Sequence, residues 1–196
     1  MERPILFSAP MVRAILEGRK TMTRRVVKPQ PIWVGDPCVP FKTPDADPKG
    51  IIRCPYGQPG DRLWVRETWS ACLPMVNYSA GGARYFPDDH QSYNELVRLY
   101  DTQRGNWRPS IFMPRWASRI TLEVVGARVE RLLEITESDA KSEGIDLKGF
   151  RSTTEGIAGR EHTIEFAGLW DSINGKKHPW ESNPWVWVIE FNKLAN

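Results

Sequence analysis

A short basic stretch, Gly18 to Val26, holds the side chains of this chain best suited to chemistry. It reads Gly-Arg-Lys-Thr-Met-Thr-Arg-Arg-Val, which places one amine, two hydroxyl groups and three guanidinium groups on a single connection. A desolvated lysine can take a proton from a hydroxyl group, and arginines can stabilise a developing anion. The stretch therefore predicts a catalytic or anion-binding site, and Lys20 and Thr23 are one amine–hydroxyl pair within it.

The spacing of this pair constrains the backbone between them. Lys20 and Thr23 are three residues apart, and a regular strand would point their side chains to opposite faces. Either the chain is not extended between them, or Thr21 is the hydroxyl that faces Lys20.

A carboxylate that could complete the site is Glu67. Strand alternation over residues 61 to 69 places Glu67 on a face that is otherwise apolar. A carboxylate on such a face requires a partner or a raised pKa, and Lys20 and the neighbours of Arg66 are candidate partners. The alternatives are a purely structural ion pair and a strand end that has already reached solvent.

Two motifs together carry a family resemblance. The first is the run from Gly18 to Arg25, and the second is Pro-Gly-Asp-Arg-Leu-Trp-Val-Arg-Glu at residues 59–67. With Arg-Pro-Ile-Leu-Phe-Ser-Ala-Pro at residues 3–10 and later matches at 119–124 and 183–191, the whole chain resembles ASCH domains of phage and prophage proteins. ASCH domains belong to the PUA-like superfamily, so the resemblance implies an α+β fold, a small PUA-like β-barrel with flanking helices and long loop insertions.

The resemblance also implies a reaction. The ASCH pattern Gly-x-Lys-x-x-Glu-x-Arg has a Glu where this chain has Thr23, but the same Thr occurs in small bacterial ASCH amidohydrolases that act on N4-acetylcytidine. In those proteins a Lys, a Thr and a Glu are the proposed catalytic set, and by motif position these are Lys20, Thr23 and Glu67. Other ASCH proteins are described as ribonucleases or nucleic-acid binders. A ribonuclease and a non-catalytic RNA- or DNA-binding module are therefore the alternatives.

In the predicted reaction, an acyl group leaves the exocyclic amine of a modified cytidine. Lys20 takes the proton of Thr23, the Thr23 oxygen attacks the acyl carbonyl, and Glu67 orients Lys20 or protonates the leaving amine. Arg24 or Arg66 stabilises the oxyanion. No cofactor is expected, because the sequence lacks a Walker loop, a Gly-x-Gly-x-x-Gly, a His-Glu-x-x-His and a Gly-x-Ser-x-Gly.

Length and composition predict a single domain over residues 1–196. The chain is 40% hydrophobic and 26% charged, which is typical of a soluble globular protein. No apolar run approaches the roughly 20 residues of a membrane span, and the first residues lack a signal-peptide pattern, so we expect a cytoplasmic protein without a membrane partner. Cys38, Cys54 and Cys72 form no Cys-x-x-Cys, and no metal site is expected. The oligomeric state stays open.

Positive charge is concentrated in two regions. The net charge is +3, yet residues 1–28 carry seven basic and two acidic side chains. The run from Arg104 to Arg119 holds four arginines, no acids, and Trp107, Phe112 and Trp116 between them. Cations interleaved with aromatics suit a phosphate backbone with stacked bases, which makes a single-stranded nucleic acid a candidate partner beside a modified nucleoside. Alternatively, these aromatics fill a barrel and the arginines only solvate it.

The residues predicted to bind substrate are Thr21, Arg24, Arg25, Trp64, Arg66, Arg108, Arg115 and Trp116.

The first half of the chain predicts few regular elements. A helix capped by Ser8 should end at Gly18, and residues 22–27 should begin a strand. Residues 28–60 contain eight of the sixteen prolines, which predicts an ordered covering loop anchored by Trp33, Phe41 and Tyr56. Residues 70–115 read as an insertion, with a turn at Gly81-Gly82 and a short helix at 92–100.

The second half is more regular. Alternation predicts a strand from residue 118 to 129 that bends at Gly126, and a capping box at 136–139 opens a helix that Gly144 ends. A further helix is expected at 165–174, with Phe166, Leu169, Trp170 and Ile173 on its apolar face. Residues 185–191 are apolar on both faces, which predicts a central strand.

Overall fold

The computed structural model describes residues 1–33, 41–42, 53–85, 89–103, 105–147 and 159–195. The chain divides into two compact units. The first unit comprises Met1–Gly18, Asp61–Glu123 and Lys193–Asn196, and the second comprises Arg19–Gly60 and Val124–Asn192. Within the described ranges, no helix is both long enough and apolar enough to cross a membrane.

Ten strands and four α-helices follow one another along the described chain. In chain order they are β1 (Glu2–Leu6), α1 (Ala9–Leu16), β2 (Met22–Val26), β3 (Ile32–Trp33), β4 (Phe41–Lys42), β5 (Arg62–Arg66), β6 (Trp69–Cys72), β7 (Met75–Tyr78), β8 (Ala83–Tyr85), α2 (His90–Gln103), β9 (Thr121–Arg131), α3 (Glu137–Ser142), α4 (Glu161–Asn174) and β10 (Trp185–Lys193). Single 3₁₀ turns lie at Ser110–Phe112, Arg115–Ala117, Leu132–Glu134 and Trp180–Ser182.

The first unit contains two groups of paired strands. β1 runs parallel to β5, and the first residues of β9 run antiparallel to β5. β6, β7 and β8 form a separate antiparallel sheet, whose β7–β8 turn uses Gly81 and Gly82 at φ values of 96° and 84°. These positive φ values are the reason for two glycines. α2 places Leu96 in the same buried cluster as Trp69 and Tyr78, so the insertion has a core of its own.

The second unit packs α3 and α4 beside β10 and β2. β10 runs antiparallel to β2, with Ile189 opposite Thr23. Phe166 and Trp170 of α4 lie in a buried cluster with Val186 and Val188 of β10. Aromatic residues one turn apart on α4 therefore cover one face of the strand that was predicted to be central.

The α+β class is confirmed, and the described strands form open sheets rather than a closed barrel. Five strands pair in the order β1-β5-β9-β10-β2, and β6, β7 and β8 form the separate three-stranded sheet. β10 has a neighbouring strand on each side, as its two apolar faces predicted.

Most of the predicted elements are present, with small differences at their ends. Ser8 occupies the N-cap position of α1 but makes no side-chain cap hydrogen bond, and Gly18 has a φ of 76°. β9 continues past Gly126 to Arg131. Ile173 is 57% exposed, because the buried stripe of α4 runs through Thr163, Phe166 and Trp170 instead.

Within the Pro-rich loop the structure describes a two-stranded ladder. β3 and β4 run antiparallel, with Ile32 opposite Lys42. The side chains of Trp33 and Phe41, which were predicted to anchor the loop, lie outside the described residues, and so does Cys38. Tyr56, the third predicted anchor, is half-buried.

Candidate active site around Lys20

Lys20 lies between the end of α1 and the start of β2, where the backbone runs beside the end of α3. The N–H of Thr21 donates to the carbonyl of Ser142 at 2.9 Å, and Lys20 forms an isolated antiparallel bridge with Glu143. Glu143 is the C-cap residue of α3. The motif and the C-terminal end of α3 are thus joined by backbone contacts before any side chain is considered.

The ammonium group of Lys20 is buried and bound on three sides. Lys20 is 2% exposed, and its Nζ donates to the Met22 carbonyl at 2.8 Å, the Glu143 carbonyl at 2.8 Å and Glu143 Oε2 at 2.7 Å. These three acceptors match the three N–H donors of an ammonium group. Burial lowers the pKa of Lys20 by more than Glu143 raises it. A lowered pKa makes the neutral, basic form of a lysine more accessible.

Arg24 contacts the same carboxylate from β2. Its Nη1 lies 3.5 Å from Glu143 Oε1, and its Nη2 lies 2.9 Å from Asp139 Oδ2 and 3.4 Å from Glu130 Oε2. The Arg24 side chain is 0% exposed, and its Nε has no hydrogen-bond partner among the described residues. Glu143 therefore lies between two buried cations, the amine of Lys20 and the guanidinium of Arg24.

The ion cluster extends outward from Arg24. Arg128 pairs with both Glu130 and Glu190, whose carboxylates raise its pKa against the opposing effect of burial. Gly126 leaves room for Glu190, since a Cβ on Gly126 would lie 3.1 Å from Glu190 Oε2. The cluster thus alternates acids and bases from its buried centre to its half-exposed edge.

The two candidate hydroxyl residues differ in their surroundings. Thr23 is 3% exposed and lies opposite Ile189 in the ladder. Because side chains alternate along a strand, Thr23 and Arg24 point to opposite faces of β2. Thr21 precedes β2 and is exposed. Arg25, on the same face as Thr23, has a pKa lowered by burial.

Glu67 is buried in the first unit, as the alternation predicted, with Arg119 as a partner. It is 1% exposed, and Arg119 donates to it through Nε at 2.9 Å and Nη2 at 3.1 Å. The Arg119 guanidinium also lies 4.0 Å from the centre of the Tyr78 ring. Burial raises the pKa of Glu67 by more than Arg119 lowers it. Because Glu67 belongs to the first unit, while Lys20 and Thr23 belong to the second, the convergence of these three residues stays a prediction.

The remaining residues predicted to bind substrate lie in the first unit. Arg66 and Arg115 lie over the ring of the buried Trp64, at 4.6 Å and 5.9 Å from its centroid. Arg115 also forms an ion pair with Glu2 at 2.7 Å. Arg108 lies over the ring of Trp69 at 5.3 Å. Several of these guanidinium groups therefore have an aromatic or acidic partner within the protein.

The aromatic residues of the basic run divide into bound and exposed groups. Trp116 donates its Nε1 to Glu95 at 2.6 Å and meets Trp69 edge to face. Trp107 and Phe112 are 57% and 60% exposed. Arg104, the first arginine of the run, lies outside the described residues. The predicted nucleic-acid surface thus retains two exposed rings.

No group of three or more His, Cys, Asp and Glu side chains in the described part of the chain could hold a metal ion. Cys54 is buried and Cys72 is half-buried.

Glu143 is the residue that sequence reasoning missed. It stands immediately before Gly144, which has a φ of 83° and follows the end of α3. An acid at a helix C-terminus is unfavourable because the helix dipole places negative partial charge there. Such an acid is stabilised by a nearby cation, so its position was a signal in the sequence for a basic partner, although not for which one.

No protein-family model and no curated protein matches the chain. Among solved structures, the chain is similar to one described as the ASCH domain from Lactobacillus crispatus JV V101, with 13% sequence identity and a TM-score of 0.37. The alignment covers 98% of this chain and 79% of that chain. A likeness this distant carries no evidence for any particular activity.

Proposed function

We propose that the chain is a hydrolase of the ASCH type that removes an acyl group from the exocyclic amine of a modified cytidine, with Lys20 as its base. The observation that carries the proposal is the buried amine of Lys20, which donates to Glu143 and whose pKa is lowered by desolvation. A buried titratable group with a specific charge partner is a candidate functional group. The motif resemblance to ASCH amidohydrolases supplies the substrate class.

The proposed reaction proceeds through an acyl-enzyme. The Lys20 ammonium first gives up a proton to water, and the neutral amine then takes the proton of the Thr23 hydroxyl while the Thr23 oxygen bonds to the acyl carbon. The C–N bond then breaks, and the Lys20 ammonium returns the proton to the leaving exocyclic amine. Water then attacks the ester on Thr23 while Lys20 takes its proton. This step releases the carboxylic acid and restores both side chains. Thr21 is the alternative nucleophile.

In this mechanism Glu143 takes the role that sequence reasoning gave to Glu67. Its Oε2 lies 2.7 Å from Lys20 Nζ, so it can stabilise the ammonium form after each proton transfer. Glu67 has the bidentate contact with Arg119 described above, which suits a structural ion pair in the first unit. The 2.7 Å contact supports Glu143 as the partner of the Lys20 base, and the motif resemblance supplies Thr23 as the nucleophile.

The test is an assay of a panel of N4-acylated cytidines for release of the acid and of the deacylated nucleoside. Lys20→Ala should lose about two to four orders of magnitude in rate, the usual range for an acid–base group. Lys141→Ala is the matched control, because Lys141 is an exposed lysine on α3. Equal rates for wild type and Lys20→Ala would overturn the proposal.

A second pair of variants assigns the nucleophile. Thr23→Val and Thr21→Val each remove a hydroxyl and keep a β-branched side chain. We expect Thr23→Val to abolish acyl transfer and Thr21→Val to retain it. The reverse result would assign the reaction to Thr21 and leave the rest of the mechanism unchanged.

A non-catalytic nucleic-acid-binding module is the second candidate, favoured by the exposed rings of Trp107 and Phe112 in the basic run. Exposed aromatic rings next to a cation can stack on unpaired bases. Oligonucleotide binding that is lost in Trp107→Ser, without any hydrolysis by the wild type, would favour this candidate. Retained binding in that variant would remove it.

A further inference from the structure

We propose that Arg24 is a positioning residue, held by Asp139 of the α3 capping box, and that it fixes the Glu143 carboxylate against Lys20. The effect of Arg24 on catalysis rests on the proposed function, whereas its contacts with Asp139 and Glu143 do not depend on it. It replaces the direct substrate contact that sequence reasoning assigned to Arg24.

The guanidinium of Arg24 has little capacity left for a substrate. Both terminal nitrogens are directed at acids of the protein, with Nη2 shared between Asp139 and Glu130 and Nη1 next to Glu143. The side chain is 0% exposed. A substrate oxyanion would have to displace a carboxylate to reach either nitrogen, so the group acts on other side chains rather than on the substrate.

Asp139 links Arg24 to the start of α3. Its Oδ2 accepts the Thr136 N–H at 3.2 Å and Arg24 Nη2 at 2.9 Å, while the Asp139 N–H donates to Thr136 Oγ1 at 3.1 Å. These bonds lower the pKa of Asp139 against the opposing effect of burial. The capping box, which the sequence shows as a helix start, thus also holds the guanidinium in place.

Arg24 in turn places positive charge on the side of Glu143 that faces away from Lys20. One carboxylate oxygen of Glu143 receives the Lys20 amine and the other faces Arg24 Nη1. Charged groups that act on Lys20 include Glu143 at the C-cap of α3 and Arg25 and Arg24 of β2, and both arginines lower its pKa. Arg24 therefore orients the carboxylate and also disfavours the ammonium form of Lys20.

The experiment is a side-chain NMR titration of Lys20 together with the pH dependence of kcat/KM. The proteins are wild type, Arg24→Met, Asp139→Asn and the control Arg13→Met, which replaces an exposed arginine of α1. Arg24→Met removes a cation and should move the Lys20 titration midpoint upward. Asp139→Asn removes an anion and should move it downward, while its amide oxygen can still cap α3.

Because the Lys20 midpoint should move in opposite directions in the two variants, the titration distinguishes a positioning role from a loss of structure. Partial unfolding would expose Lys20 and move its midpoint upward in both variants, which would overturn the proposal. Midpoints equal to wild type in both variants would also overturn it. We expect kcat/KM to fall about 100-fold in Arg24→Met, the scale for a misplaced catalytic group. If Arg24→Met does not fold, the midpoint of Asp139→Asn alone tests the proposal, which requires a downward shift.

The titration also distinguishes this inference from the proposed function. Opposite midpoint shifts in Arg24→Met and Asp139→Asn, together with a wild type that hydrolyses no acylated cytidine, would retain the positioning role and reject the reaction. Hydrolysis that is equal in wild type, Arg24→Met and Asp139→Asn, with unshifted midpoints, would retain the reaction and reject the role of Arg24.

Discussion

At the scale of single residues, the burial of Lys20 is the fact that most needs an explanation. A charged amine is rarely buried unless it is paired, and removing one member of a buried pair leaves the other uncompensated. Lys20 and Glu143 have side chains only 1% and 4% exposed. The pair is therefore costly to break from either side, whether or not it takes part in catalysis.

We predict that Lys20→Met destabilises the protein by about 3–5 kcal/mol, the scale for breaking a buried ion pair. Met occupies a similar volume, so the loss comes from the Glu143 carboxylate that remains buried. Urea denaturation gives the free energy of unfolding. The double variant Lys20→Met/Glu143→Gln should recover part of this loss, because neither charge remains. A double variant with the summed loss of both single variants would contradict the pairing.

Glu67→Gln separates the structural acid from the catalytic one. The substitution keeps the side-chain shape but leaves the Arg119 guanidinium without its carboxylate, so we expect a loss of stability of about 3 kcal/mol. Hydrolysis should stay within a few-fold of wild type, since Glu143 is the acid next to Lys20. Melting temperature and rate are measured on the same preparation. A fall in rate of two orders of magnitude or more with an intact fold would return the catalytic role to Glu67.

At the scale of elements, α3 connects the ion cluster to the rest of the second unit. Its first residue, Glu137, accepts hydrogen bonds from the N–H groups of His162 and Thr163 at 2.9 Å and 3.0 Å and pairs with His162 Nδ1 at 2.6 Å. It thus caps the N-terminus of α4, where the helix dipole favours an anion. Partial burial raises the pKa of Glu137, but these hydrogen bonds outweigh it and lower the pKa to about 2.

This cap predicts a defined pH dependence. The pKa of Glu137 is lower in the folded protein than its ordinary value of 4.5, so its contribution to stability is complete above that value and is lost as the pH falls towards 2. Wild type should therefore be more stable than Glu137→Gln at pH 7, and the difference should shrink below pH 4.5. Glu165→Gln, an exposed acid on α4, is the matched control. A difference that is constant with pH would exclude the cap as its source.

Elements with a local signal were predictable from the sequence, and contacts between elements were not. Thr136 and Asp139 lie three residues apart, so their capping box was legible in the sequence, and it forms as predicted. The contact between Lys20 and Glu143 joins positions 123 residues apart, and no local pattern encodes such a pairing. Glu67 was correctly placed on a buried face because alternation is local, but its partner Arg119 was not predicted.

At the scale of the whole molecule, charge is balanced more closely than the sequence suggested. The basic stretch at residues 1–28 predicted a positive field around the motif, yet Lys20 and Arg24 are buried and paired with acids. In the run from Gly105 to Arg119, Arg115 and Arg119 also pair with acids. Four basic side chains of these two regions are thus held by acids of the protein, which leaves fewer of them to neutralise phosphates.

We therefore predict a shallow salt dependence for any binding of single-stranded oligonucleotides. Each neutralised phosphate contributes about −0.7 to the slope of log Kobs against log salt for single strands, so one or two contacts give a slope between about −0.7 and −1.4. Fluorescence anisotropy between about 50 and 200 mM KCl measures it. Glu2→Gln releases Arg115 from its ion pair and should steepen the slope by about 0.7, whereas Glu165→Gln should leave it unchanged. A wild-type slope of about −4 or steeper, equivalent to six or more phosphates, would mean that the arginines exchange their acids for phosphate and would favour the binding module over the hydrolase.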